Sequence, residues 1–191
     1  MNSLKKIKEW LNTFTSFNEQ EQVDCQHIRQ FLEEELNLLL RDNVKMHFTA
    51  SAWVLNPSKN KVLMLYHNIY QSWSWSGGHA DGEGDLLSVA MKEVKEESGL
   101  VSLKPLSDSP ISIEILGVQP HYKKQKYVSA HLHLNYTFLL HNTKEEKLKI
   151  CPEENSKVGW LSPDEAVRSS TEAWMKPIYK KLNQKMRKYL G

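Results

Sequence analysis

Two periods of hydrophobic repetition alternate along this chain. Leu4, Ile7, Leu11 and Phe14 fall on one helical face. Behind them Ile28, Leu32, Leu36 and Leu39 repeat at helical spacing, so residues 1–43 read as helical. Asn18 followed by Glu21 predicts a capping box at the second helix. From Lys45 the period drops to two. Residues 47–55 and 61–67 are apolar and β-branched, and the turn cluster 56–60 joins them as a hairpin. Residues 85–99 return to helical spacing, with Leu87, Ala90, Met91 and Val94 on one stripe. Asp85 is placed to cap that helix and Gly99 to end it. Ile111–Gln119 reads as a strand. Residues 131–140 alternate cleanly, with Leu132, Leu134, Tyr136 and Phe138 on one face and His131, His133, Asn135 and Thr137 on the other. Val158–Leu161 is a short strand, and Ser162-Pro163-Asp164-Glu165 is a helix start with cap, proline and N3 glutamate. From Pro177 a basic amphipathic helix carries Ile178, Leu182, Met186 and Tyr189 on one side.

Strands, a central helix, further strands and a terminal helix give an α+β class. The 191 residues are 40% hydrophobic and 25% charged, as in an ordinary globular protein. A net charge of +2 gives no electrostatic reason to expect nucleic acid or a membrane surface as partner. Cys25 and Cys151 stand far apart in no metal-binding pattern and read as free thiols of a reducing compartment. The first ten residues lack an apolar signal region, and no apolar run reaches a membrane span, so a cytoplasmic location is expected.

Chemistry enters on the central helix. Glu93, Glu96 and Glu97 stand at i, i+3 and i+4, where side chains are neighbours. They repel one another, and they sit near a helix C-terminus, where the macrodipole disfavours anions. A hard divalent cation, which takes oxygen ligands, offsets both costs. The bland alternative is a solvated acidic face with Lys92 and Lys95 as counter-ions.

The longer stretch Gly77–Leu100 resembles the Nudix box, G-x5-E-x7-R-E-U-x-E-E-x-G-U with U aliphatic. Aligned without gaps, Gly78 takes the first glycine, and Glu93, Val94, Glu96, Glu97, Gly99 and Leu100 take the second half. Gly84 falls where the pattern has its first glutamate, with Glu83 and Asp85 beside it. Lys92 falls where it has arginine, keeping the charge without the planar fork. Trp73 matches the tryptophan of the family's W-x-L-P-G-G segment, and Ser76 replaces its proline. The resemblance implies an α/β/α sandwich with a mixed sheet. The expected division is a helical extension over 1–43, a Nudix domain over 44–165 and a C-terminal helix over 166–191.

The resemblance further implies Mg2+ or Mn2+ on Glu93, Glu96 and Glu97, and hydrolysis of a diphosphate linkage in a small nucleotide-type substrate by water attack at phosphorus. Lys92 then holds a carboxylate in place. Glu154, with Glu153 in reserve, is the expected extra ligand or general base, since family members often carry a glutamate before such a tryptophan strand. Gly77 and Gly78 let backbone approach substrate. Trp73 and Trp75 either stack on a base or pack in the core. The basic loop His121–Lys126 either meets phosphates or is a solvated tip. His131 and His133 have a zinc-ligand spacing. No cysteine pair accompanies them, however, and a polar face lining a substrate cleft is the reading adopted. The N-terminal helices cover the core or a homodimer interface, or form a lid. A nucleotide-sensing module with weak or lost activity is the alternative function, fed by Gly84 and Lys92. An isopentenyl diphosphate isomerase-like enzyme fits less well, because both cysteines lie outside the box.

Overall fold

The computed structural model describes residues 4–123 and 125–191, leaving aside the side chain of Lys123. Helices α1 (Lys5–Thr13) and α2 (Glu19–Glu34) come first. Strands β1 (Met46–Leu55), β2 (Val62–His67), β3 (Ser72–Ser74) and β4 (Ser76–His79) precede α3 (Leu86–Ser98). Then follow β5 (Leu103–Pro105), β6 (Ser112–Val118), β7 (His121–Lys123), β8 (Lys126–Val128), β9 (His131–Asn142) and β10 (Asn155–Leu161). Helices α4 (Pro163–Ser169) and α5 (Met175–Leu190) close the chain.

The main sheet runs β10-β2-β1-β9-β5, with β3 on β2, β4 on β1 and β6 on β9. Its centre is the parallel pair β1 and β9, in register from Met46 with Leu132 to Leu55 with His141. The other pairings are antiparallel. Alternation along β1 separates two cores. Phe48, Ala50, Ala52 and Val54 meet α3 and the N-terminal helices through Leu86, Ala90, Val94, Ile7, Leu11 and Ile28. Trp53 and Leu55, on the opposite face, meet Ala166, Tyr179, Leu182 and Met186 of α4 and α5. Helices therefore cover both sides of a mixed sheet, as expected of the sandwich.

Several local expectations change. Helix α2 ends at Glu34, so Leu36 leaves the helical stripe and is 82% exposed, while Leu38 and Leu39 turn into the core. Asn18 does cap α2, accepting from Glu21 N–H at 3.1 Å. The Glu21 carboxylate bonds Phe17 N–H at 2.7 Å rather than the cap's own amide, which makes the box irregular. Helix α5 begins at Met175, ahead of Pro177. Ser162 and Glu165 form a complete capping box on α4. The basic loop becomes the hairpin of β7 and β8; Lys124 and the side chain of Lys123 lie outside the described residues.

A buried charged knot ties the ends of the chain together. Lys181 Nζ on α5 lies 3.0 Å from Glu21 on α2 and 2.9 Å from Glu114 on β6. Lys185 Nζ lies 2.5 Å from Glu21, and Ser112 donates to it at 2.6 Å. Both carboxylates are fully buried.

Candidate active site

Helix α3 carries the acidic residues, and its ends are fixed locally. Asp85 accepts from Ser88 N–H at 3.4 Å, and Gly99 ends the helix in the left-handed region, donating to Lys95 carbonyl at 3.0 Å. Its apolar stripe faces the sheet, which turns Glu93 and Glu97 toward β4.

Glu97 is buried, and its environment is specific. Ser76 donates its hydroxyl to Glu97 Oε2, and Gly77 N–H donates to the same oxygen at 3.2 Å. Asn155, at the start of β10, donates to the Glu97 carbonyl at 3.0 Å, which brings the segment bearing Glu154 against the helix end. Burial pushes the Glu97 carboxyl well above the usual carboxylate range; the Ser76 bond opposes this, and the charges of Glu154 and Glu93 add to it. Glu93 is raised too, by burial first, with Lys92 opposing and Glu96, Glu154 and Asp81 contributing.

Glycine is required where these carboxylates meet β4. A Cβ on Gly78 would lie 2.4 Å from Glu93 Cδ. A Cβ on Gly77 would lie 2.7 Å from the Ala50 carbonyl oxygen, a backbone atom that cannot swing aside.

Glu93, Glu97 and Glu154 thus converge. Glu96 does not join them: its side chain is 56% exposed and lies 3.6 Å from Lys92 Nζ, which also sits 3.9 Å from Glu93. Glu83 accepts from Asp85 N–H at 2.7 Å within its own loop, and Gly84 is buried. Glu93 and Glu97, whose protons are held up by burial and by neighbouring carboxylates, offer oxygen together with Glu154, a set that suits a hard divalent cation.

A cavity of about 260 Å³ opens beside this cluster, with Glu97, Gly77 and Gly78 on its wall. The polar ends of β1 and β9 line it through Thr49, Ser51, His133 and Asn135. Asn135 organises them, accepting from Thr49 at 3.0 Å and from Ser51 at 2.8 Å. The aromatic wall is Trp75, Tyr70, Trp174 and Tyr179. Trp73, the tryptophan matched to the family segment, packs edge-on against Tyr66 with ring centroids 5.8 Å apart. Trp75 stands between β3 and β4 and lines the cavity, whereas Trp73, within β3, packs against β2.

The family model for the NUDIX domain matches residues 45–182, most of the chain. The chain belongs to the NUDIX family. This places it among the Nudix-type pyrophosphohydrolases. The NUDIX match reaches into α5, in keeping with that helix's share of the second core. Solved structures agree on the fold. An Ap4A hydrolase of C. elegans in a binary complex is 18% identical over 72% of this chain and 95% of its own, with a TM-score of 0.54. The E. coli dihydroneopterin triphosphate pyrophosphohydrolase is 16% identical over 70% and 92%, with a TM-score of 0.52. The Nudix hydrolase RenU of M. smegmatis is 13% identical over 72% and 84%, also with a TM-score of 0.52. No curated protein matches the chain. Among the described residues of this NUDIX protein, no helix is long and apolar enough to cross a membrane.

Sequence reasoning missed two residues near the cavity. His47 and His79 join His131 and His133 at one end of the sheet. No local pattern pointed to them, since strand register brings them together: six of the chain's eight histidines line a second, adjoining cavity of about 380 Å³.

Proposed function

We propose that this NUDIX protein hydrolyses a diphosphate linkage in a small nucleotide-type substrate, by attack of water at phosphorus. The observation that carries this reading is the convergence of Glu93, Glu97 and Glu154 beside Gly77 and Gly78 on the wall of an aromatic-lined cavity. Glu93, Glu97 and Glu154 would hold Mg2+ or Mn2+, with Glu96 at the outer side. Such a cation, when bound, neutralises phosphate charge and makes water more acidic.

The chain supplies the rest. Ser76 and Gly77 hold one oxygen of Glu97 in place, leaving its other oxygen for the site. Lys92 restrains Glu93 and Glu96 as a point charge. Gly77 and Gly78 keep side-chain bulk away from the place where phosphates approach. One of the crowded carboxylates takes the proton from the attacking water; groups whose pKa is raised by burial and like charge suit that task. Trp75, Tyr70 and Trp174 offer flat apolar surface to a base or comparable ring. The diphosphate breaks at the phosphorus–oxygen bond, and each half leaves with one phosphate.

A nucleotide-sensing module of weak activity has one observation in its favour. The box's first glutamate is missing: Gly84 is buried, and Glu83 is engaged in its own loop.

The test is hydrolysis in oxygen-18 water, with Mg2+ or Mn2+, of a panel of nucleoside triphosphates, nucleotide sugars, dinucleotides and coenzyme A. Mass spectrometry should find one phosphate-bearing product carrying the label. Tight binding of a panel member without cleavage would favour the sensing module instead.

A further inference from the structure

Strands β4, β1 and β9 lie side by side, and each presents an imidazole at the same end of the sheet. His47 on β1 is in register with His133 on β9, and His79 on β4 pairs with Thr49, two residues along β1. The period of two puts His47 and Thr49 on one face, so the three rings meet. One nitrogen from each of His47, His79 and His133 lies within 4.8 Å of the others. His131 joins them, its ring centroid 5.0 Å from those of both His47 and His133.

The hydrogen bonds around the cluster set its tautomers. His47 Nδ1 faces the Asn43 carbonyl at 3.2 Å, so that nitrogen carries the proton and Nε2 keeps a lone pair. His47 is 4% exposed, and its Nε2 is buried without a hydrogen-bond partner. His131 Nδ1 likewise donates to the Ser129 carbonyl at 2.9 Å, which leaves a lone pair on its Nε2. That lone pair accepts from His133 Nε2–H at 3.1 Å, so a cation bridging the two nitrogens displaces this one proton. Two nitrogens on a tetrahedral zinc ion, each bound at 2.0–2.1 Å, stand about 3.3 Å apart. Outer carbonyls that fix a ring's tautomer and orientation are the usual support of metal-bound histidine.

We propose that His47, His79 and His133, with His131 as a fourth ligand, bind a divalent transition-metal cation of the zinc class. Imidazole nitrogen suits zinc, copper or nickel, whereas magnesium and manganese prefer oxygen, so this site and the carboxylate cluster select different ions. A cation would give the buried, unpartnered Nε2 of His47 a partner that the neighbouring imidazoles can share. His79 and His133 also line the cavity beside Glu97, so a cation here places positive charge on the wall where an anionic substrate would sit. The proposal does not rest on the hydrolase reading, since zinc binding is measured without turnover.

The experiment strips the full chain with a chelator and titrates it with Zn2+ by calorimetry and Co2+ by visible absorption. The titration is repeated on Glu93→Gln/Glu97→Gln and on His47→Gln/His133→Gln. One equivalent of Zn2+ should bind, unaffected in the glutamate variant. Affinity should fall in the histidine variant by more than the 10–100-fold typical of losing an outer-shell partner. Wild-type Co2+ protein should show the intense visible bands of a tetrahedral nitrogen site, a readout that needs no variant to fold. No zinc binding, zinc binding lost only in the glutamate variant, or a Co2+ spectrum with only weak octahedral bands would overturn the proposal. A His131→Gln variant, altered at a half-exposed position, gives a milder check: its zinc affinity should fall while its thermal midpoint without metal stays put.

Discussion

Ser76 donates its hydroxyl to the same Glu97 oxygen that Gly77 N–H bonds, so one side of that carboxylate is committed to β4. Because the bond favours the charged carboxylate, removing it should raise the Glu97 pKa further. In Ser76→Ala the acid limb of the pH–rate profile should therefore move to higher pH. A hydrogen bond to a charged group is worth about 1.5–3 kcal/mol, so turnover should fall about tenfold or more at neutral pH. An unshifted limb would mean that Glu97 ionisation does not govern the rate.

Gly78 gives a sharper steric test. A methyl group there meets the carboxyl carbon of Glu93, the movable end of a side chain. Gly78→Ala should therefore fold, with Glu93 displaced. Metal-dependent turnover should drop by orders of magnitude while circular dichroism stays native.

Lys92 restrains its carboxylates loosely, at 3.6 and 3.9 Å, and is 66% exposed. An arginine fork bonds a carboxylate in two places at once. Lys92→Arg should raise turnover, but only a few-fold, because exposed pairs are worth about 0.2–1 kcal/mol. Steady-state kinetics would show it; a loss of activity would mean that the lysine's compactness matters.

The buried knot makes a prediction about pH and stability. Burial alone would raise Glu21, but Lys181, Lys185 and Ser112 overcome it and hold its carboxyl below the usual range. A depressed acid stabilises the fold above its ordinary pKa of 4.5, and that stabilisation is lost as pH falls through the folded value. Thermal midpoints measured downward from pH 5 should fall more steeply in wild type than in Glu21→Gln/Lys181→Met, which lacks the pair. Lys181→Met alone leaves the buried Glu114 without Lys181, while Glu21 keeps Lys185, and should cost about 3–5 kcal/mol.

How much of this was legible beforehand depended on whether a signal was local. The α3 stripe, the cap at Asp85, the turn at Gly99 and the capping box at Ser162 involve neighbours in sequence, and they appear as expected. The polar face of β9 could be read from alternation alone, though not what it meets. Contacts across strands carried no such signal. Nothing in the sequence pairs Glu21 with Lys181, or sets His47 beside His133, until β1 and β9 come into register. Leu36 shows the opposite failure: helical spacing continued past the point where α2 stops. Trp73 and Trp75 would share a face of one continuous strand, so only the break between β3 and β4 at Trp75 assigns that residue to the cavity.

The most direct measurement pairs turnover with thermal midpoint in Glu97→Gln. The expected result is hydrolysis reduced by orders of magnitude, with the metal-free midpoint unchanged or higher, because a buried charge repelled by Glu93 and Glu154 is gone. A fully active Glu97→Gln protein would contradict the carboxylate centre proposed here.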